Sequence, residues 1–351
     1  MPHFLIYIVD ESALHSAVAH LSSPFLVIFI AVCIALLTKG ANVMIDGVVH
    51  LACRTGMPRI VIGATVVSLG TTTPEAFVSV MAAWMGNPGL ALGNGVGSII
   101  ADTGLIFGVS CVLTTMPVNR FILNRTGWIQ VGSATLLVVI SVILKYWSNG
   151  QPVLPRWVGV FFLGLLGAYL YATYTWARQG AEVCVEEPDL GPIASVPKAT
   201  FMIIGGLVLV VGGARVLIPC AAELAARLGV PDDVIAATMV ALGTSLPELV
   251  TAISAIRKGH PEITIGNIVG ADVLNCLFVI GASATARPLA IPLNFYTFHF
   301  PAMLLILYSF RFFIFLNKDE KFKRLQGAWL LAIYLTYLVF QYVFKLSGTG
   351  G

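Results

Sequence analysis

Laid over itself, the chain aligns 62–108 with 235–281 without a gap, and 17 of the 47 pairs are identical. The matches include Gly70 with Gly243, Thr71 with Thr244, Pro74 with Pro247 and Glu75 with Glu248. Gly86 with Gly259, Pro88 with Pro261, Gly93 with Gly266, Asn94 with Asn267, Gly97 with Gly270 and Gly108 with Gly281 continue the register. A chain duplicated in this way folds as two related halves. Their solvent follows from composition: 58% of the 351 residues are hydrophobic and 11% charged, against about 45–50% and about 25% in soluble domains. So large an apolar excess requires lipid.

A helix crosses the hydrocarbon core with about 20 mostly apolar residues, which predicts spans near 24–46, 59–86, 90–115, 126–145 and 155–177. Five more follow near 199–228, 232–256, 262–286, 294–316 and 327–346. The fold class expected is an all-α polytopic membrane protein of ten transmembrane helices. Residues 1–177 form an N-terminal half whose repeat unit covers about 59–115, and 199–351 a C-terminal half whose unit covers about 232–286. The polar stretch 178–198, with Glu182, Glu186, Glu187 and Asp189, is the short linker between them. The units occupy spans two and three, then seven and eight, so five crossings separate them and the second is inverted. Inverted five-helix repeats with discontinuous helices at the midplane are the plan on which secondary transporters alternate access.

Arg54, Arg59, Arg120, Arg125, Arg178, Lys198, Arg257, Lys258, Lys321 and Lys323 crowd into alternate loops. By the positive-inside rule those loops and the linker are cytoplasmic and the N-terminus is outside. Asp10, Glu11 and His15 stand where the apolar core of a cleavable signal peptide would be. The six cysteines are scattered with no C-x-x-C pair and read as small packing residues. A net charge of +3 without a basic patch excludes a nucleic-acid partner. Neither a cofactor nor an obligatory protein partner is expected; the bilayer is the partner.

Each unit carries a polar segment deep in an apolar span: Gly70-Thr71-Thr72-Thr73-Pro74-Glu75 and Gly243-Thr244-Ser245-Leu246-Pro247-Glu248. Proline lacks the amide hydrogen that would bond the carbonyl four residues back. The freed carbonyls, with the hydroxyls of Thr71, Thr72, Thr244 and Ser245, make hard oxygen donors suited to Ca²⁺ and Na⁺, and no Cys or His cluster serves a softer metal. An ionised carboxylate at the midplane costs at least about 2.5 kcal/mol. Glu75 and Glu248 repeat that cost in both halves, which marks them as ligands. Asp102 and Asn275 close the blocks that begin Gly93-Asn94 and Gly266-Asn267 and add one oxygen ligand each at matching depth. Asp272 has no counterpart, because Ile99 fills its position, and it is a candidate site or pathway residue. Arg215 and Lys39 read as packing or snorkelling cations.

At these two blocks the sequence resembles the cation/Ca²⁺ exchanger superfamily, specifically its prokaryotic Na⁺/Ca²⁺ exchangers, whose repeats read G-T-S-x-P-E followed by G-N-x-x-G-S. The resemblance implies an antiporter of the plasma (inner) membrane that exchanges Na⁺ for Ca²⁺. It implies that Glu75 and Glu248 are the principal Ca²⁺ ligands, with oxygens from Thr71 and Thr244. Asp102 and Asn275 then flank the middle of the site. The backbone near Ser68 and Ala241 and the hydroxyls of Thr72, Ser98 and Ser245 hold Na⁺. Members of this branch commonly carry Asn at the Asp102 position and Asp at the Asn275 position. Here the two are exchanged, and Ala271 replaces a usual serine.

A Ca²⁺/H⁺ exchanger, or a K⁺-dependent Na⁺/Ca²⁺ exchanger, of the same fold is the nearest alternative, since desolvated carboxylates can carry protons. A channel fits duplicated midplane carboxylates less well than an occluded site does. An enzyme is excluded on sequence grounds: no G-x-G-D, E-E-x-x-x-R or H-E-x-x-H block is present.

Overall fold

A computed structural model describes residues 17–118, 120–147, 151–179, 193–228, 245–317 and 321–346. Thr244, Ala241, the first part of the seventh span and most of the 178–198 linker lie outside these. The expected spans appear as α1 (Ser23–Thr55), α2 (Arg59–Trp84), α3 (Pro88–Leu113), α4 (Arg120–Trp147) and α5 (Arg156–Gln179). Next come α6 (Val196–Arg227), α7 (Leu246–Arg257), α8 (Pro261–Ala286), α9 (Phe295–Leu316) and α10 (Arg324–Leu346). Eight of these helices are long and apolar enough to cross a membrane, and α7 and α10 complete the ten-helix plan.

The duplication is legible in the backbone. Turns between α2 and α3 and between α7 and α8 carry glycines with φ of 85° and 80°, Gly86 and Gly259. These two fill the same place in their units, at a conformation other residues resist. Two-residue strands β1 (Met116–Pro117), β2 (Val153–Leu154), β3 (Leu289–Ala290) and β4 (Lys321–Phe322) obey the same symmetry. Met116 faces Phe322, and Leu289, its equivalent after the second unit, faces Leu154. Likewise Gly108 of α3 packs on Gly327 of α10, while Gly281 of α8 packs on Gly159 of α5.

Helix α8 is the central post, with every residue from Ile263 to Leu274 buried. α2 lies against it closely enough that a methyl on Gly63 would meet the Ile263 carbonyl and one on Gly266 the Ile60 carbonyl. Outside this core α1 and α6 cross each other. A methyl on Gly40 would sit 2.8 Å from the Gly206 carbonyl oxygen, so small residues let the two backbones touch. Outward faces of Phe25, Ile28, Phe201, Val208, Trp157, Val160, Phe312 and Phe315 are exposed, the apolar surface a bilayer would cover. Lys39 is exposed, as a snorkelling lysine should be. Cys33, Cys111, Cys220 and Cys276 are free and buried as packing residues, whereas Cys53 is disulfide-bonded, contrary to the reading from scatter alone.

Helix interruption differs from the expectation in one respect. Pro74 lies inside a continuous helix, Ser68–Trp84, because only one hydrogen bond is lost and the neighbouring turns carry it through. Pro247 instead sits in the first turn of α7. The discontinuities are wide π-helical turns at Gly63–Val67, Asp102–Phe107 and Asn275–Ile280, with a fourth at the start of α9, Phe295–His299. Such turns are rare and recur at functional sites.

Candidate functional site

Two of the π-turns begin on Asp102 and Asn275 themselves, which occupy identical places in the two units. A π-turn widens the helix by one residue and leaves carbonyls out of the regular ladder. It also swings the first side chain toward the core, where Asp102 and Asn275 meet: Asn275 Nδ2 donates to Asp102 Oδ2 at 3.3 Å.

Around that pair converge residues of four helices. From α2 come Ser68, Thr71, Thr72 and Glu75, from α3 Asn94, Ser98 and Asp102, from α7 Ser245 and Glu248, and from α8 Asn267 and Asn275, all buried. Glu75 lies within reach of the charges of Glu248 and Asp102, and Asp102 within reach of Glu248 and Asp272. Four carboxyl groups thus share one water-excluded interior. The Thr71 hydroxyl spans the two units, donating to the Ser68 carbonyl at 3.3 Å and to Asn267 Oδ1 at 3.5 Å. Asn94 donates to the Glu75 carbonyl at 3.2 Å and to Ser79 Oγ at 2.9 Å. This ties α3 to the polar turn of α2.

Unsatisfied atoms define what the site is for. Buried polar groups in folded proteins almost always find a partner. Among the described residues twelve buried side-chain atoms have none, and eight of the twelve belong to candidates picked from sequence: Thr72 Oγ1, Glu75 Oε2, Ser98 Oγ, Asp102 Oδ1, Ser245 Oγ, Glu248 Oε2, Asp272 Oδ1 and Asn275 Oδ1. All eight are oxygens. Hydroxyl, amide and carboxylate oxygens with lone pairs left unfilled are the ligand set of hard cations. Among the described residues no group of three or more His, Cys, Asp or Glu is placed to hold a metal ion.

Not every candidate sits alike. Asp272 faces α4: its Oδ2 accepts hydrogen bonds from Thr103 Oγ1 and, at 2.5 Å, from Gln130 Nε2. Sequence reasoning missed Gln130, Thr103 and the bridging role of Asn94 and Asn267. Arg215, read as a packing cation, is half-buried on α6, with its charge within reach of Glu75. A polar residue alone in an apolar span was the only signal available for Gln130 and Arg215.

Two inverted five-helix units enclosing a buried, oxygen-rich, acidic cluster define a secondary transporter. The chain belongs to the sodium/calcium exchanger protein family, whose model matches residues 25–175 and 198–343. It is 30% identical over 337 residues to the sodium/calcium exchanger MaX1 of Methanosarcina acetivorans, covering 86% of this chain and 94% of that protein. It is 32% identical over 264 residues to the inner membrane protein YrbG of Escherichia coli K12, covering 73% and 78%. Its fold matches that of the sodium-calcium exchanger NCX_Mj soaked with Na⁺ and Sr²⁺, with a TM-score of 0.76 at 26% identity, over 91% of this chain and 99% of that one.

Proposed function

We propose that this protein exchanges Na⁺ for Ca²⁺ across a prokaryotic plasma membrane by alternating access. The observation that carries the reading is the set of donorless oxygens on Glu75, Glu248, Asp102, Asn275, Thr72, Ser98 and Ser245, contributed by both inverted units. Their chemistry selects Ca²⁺ and Na⁺, the ions named in the relatives' descriptions. Glu75 and Glu248 are the main Ca²⁺ ligands, with oxygens of Thr71 and Thr244. Asp102 and Asn275 flank them, and the backbone near Ser68 and Ala241 with the hydroxyls of Thr72, Ser98 and Ser245 holds Na⁺. Both ions need the same carboxylates, so they compete, and an empty site with uncompensated buried charges resists reorientation. The crossing pair α1 and α6 slides over the core of α2, α3, α7 and α8. The N-terminus is outside, residues 1–177 and 199–351 are the two halves, and 178–198 is their cytoplasmic linker.

The test is ⁴⁵Ca²⁺ uptake into proteoliposomes driven by an outward Na⁺ gradient, against matched K⁺ and H⁺ gradients, for wild type and Glu248→Gln. Uptake that requires Na⁺ and falls at least about a hundredfold in the variant is expected, since losing one partner of a buried charge pair costs about 3–5 kcal/mol. Uptake driven by the proton gradient alone reassigns the coupling ion to H⁺. Flux without a counter-ion overturns exchange.

A further inference from the structure

One acid in the core turns its hydrogen-bonded oxygen toward α4 and away from the oxygens shared by the two units. Asp272 lies on the α4 side of α8, and its partners Thr103 and Gln130 are both neutral. Gln130 also donates to Thr103 Oγ1 at 3.3 Å, so the three side chains form a closed group linking α3, α4 and α8. Asp272 is 2% exposed and Gln130 1%. A buried carboxylate whose only partners are neutral carries a desolvation cost that hydrogen bonds alone offset poorly. The second oxygens of both side chains, Asp272 Oδ1 and Gln130 Oε1, have no donor at all. Because the Gln130 Nε2–Asp272 Oδ2 hydrogen bond already joins the two side chains, one cation can be shared between the two oxygens left without donors.

We propose that Asp272 and Gln130 form an auxiliary site for one monovalent cation, H⁺ or Na⁺, separate from the oxygen cluster shared by the two units. The proposal deepens the exchange reading and rests on it for the site's role. A proton on Oδ1 would complete a paired acid–amide ring with Gln130. A Na⁺ ion would take both oxygens as ligands in hard coordination. In either form the cation neutralises Asp272 beside Asp102, whose charge it reaches. The other titratable neighbours are Cys276, one turn along α8, and Tyr334 of α10, which faces Asp102. Releasing the cation returns one negative charge near the exchange site and strengthens its hold on Ca²⁺. Ile99 stands at the equivalent place in the first unit, so the device exists in one half only.

Infrared difference spectra of the purified protein in lipid nanodiscs test the site without transport, so they stay readable even if gradient-driven uptake fails. The spectra are recorded against pH and against Na⁺ replaced by N-methylglucamine. A carboxylic C=O stretch that Asp272→Asn removes and Gln130→Met shifts assigns the proton. A Na⁺-dependent shift of carboxylate bands that both variants lose assigns Na⁺. Wild-type spectra indistinguishable from those of Asp272→Asn under both titrations overturn the proposal. Should Asp272→Asn fail to fold, Gln130→Met decides alone, its unchanged spectrum being the overturning result. In proteoliposomes the half-saturating Ca²⁺ of Asp272→Asn should match wild type where the site is filled. It should lie on the order of tenfold higher where wild type is empty, as one buried unit charge at intermediate range implies.

Discussion

The two repeat units share a backbone and divide a chemistry. Both open a π-turn at the same position, yet one places an acid there, Asp102, and the other its neutral amide, Asn275. At this position the geometry is duplicated between the units, whereas the charge is supplied once. The resemblance to prokaryotic exchangers implies an acid in the other unit, so the cluster is expected to tolerate its charge on either side of the pseudo-twofold axis. The Asn275–Asp102 hydrogen bond shows why: the two groups meet at the centre and act as one.

Breaking that division gives the largest expected effect in the comparison. Asp102→Asn removes one of the charges proposed to hold the cargo and should cut ⁴⁵Ca²⁺ uptake about a hundredfold, as losing a buried charge partner does. Adding Asn275→Asp to it restores the charge at the centre and should recover uptake to within about tenfold, since residues in one network couple rather than add. Equal loss in the single and double variants would mean that the side of the axis matters, and that the symmetry is structural only.

Much of this was legible in the sequence, and the reason is physical. The repeat from 62 to 108 covers the helices buried on all faces, where packing against α8 and the polar cluster constrains nearly every side chain. Six of the eight donorless candidates have a polar counterpart in the repeated pattern; Ser98 and Asp272 stand out by breaking it, with Ala271 and Ile99 opposite them. Outside it the duplication fades, because the lipid-facing surfaces of α1, α4, α5, α6 and α10 need only be apolar. The symmetry of α1 and α6 survives in structure alone. Gly40 packs on Gly206, and the positions equivalent to them in the same register, Gly213 and Cys33, also meet. Pro74 misled in the other direction, since a proline is a break in isolation and a tolerated defect in a supported helix. Gln130 and Arg215 were invisible as site neighbours because their partners are set by tertiary packing.

That second symmetry is also imperfect, and the imperfection predicts a graded effect. A methyl on Gly40 meets Leu209 Cβ at 2.7 Å and the Gly206 oxygen at 2.8 Å, whereas one on Gly213 meets Leu37 Cγ at 3.2 Å and the Cys33 oxygen at 3.4 Å. Gly205 has nothing within 4 Å. Overpacking of this kind costs about 1–3 kcal/mol. If α1 and α6 slide as one pair, Gly40→Ala should slow exchange about tenfold, Gly213→Ala less and Gly205→Ala not at all, with equilibrium Ca²⁺ binding unchanged in each. The same order appearing in binding, and not in exchange rate, would place the strain in the site and not in the moving pair.

The smallest effect comes from a contact that one half has and the other lacks. Where α7 ends against the second half of α1, Ser254 Oγ donates to Asn42 Oδ1 at 2.6 Å and Lys258 pairs with Asp46. The related positions on the opposite side are Met81, Arg215, Met85 and Pro219, which can make neither contact. Among the described residues these contacts tie α1 to α7 at the end that the proposed topology puts in the cytoplasm. The ion pair is partly exposed, so its worth is below about 1 kcal/mol, a shift of no more than about fivefold between the two orientations. Asp46→Asn should therefore lower the half-saturating Ca²⁺ measured from that side in oriented vesicles and raise it from the other by the same small factor. A change of equal sign on both sides would show that Asp46 acts on the exchange site itself, and that the asymmetry of the fastening has no part in which way the transporter faces.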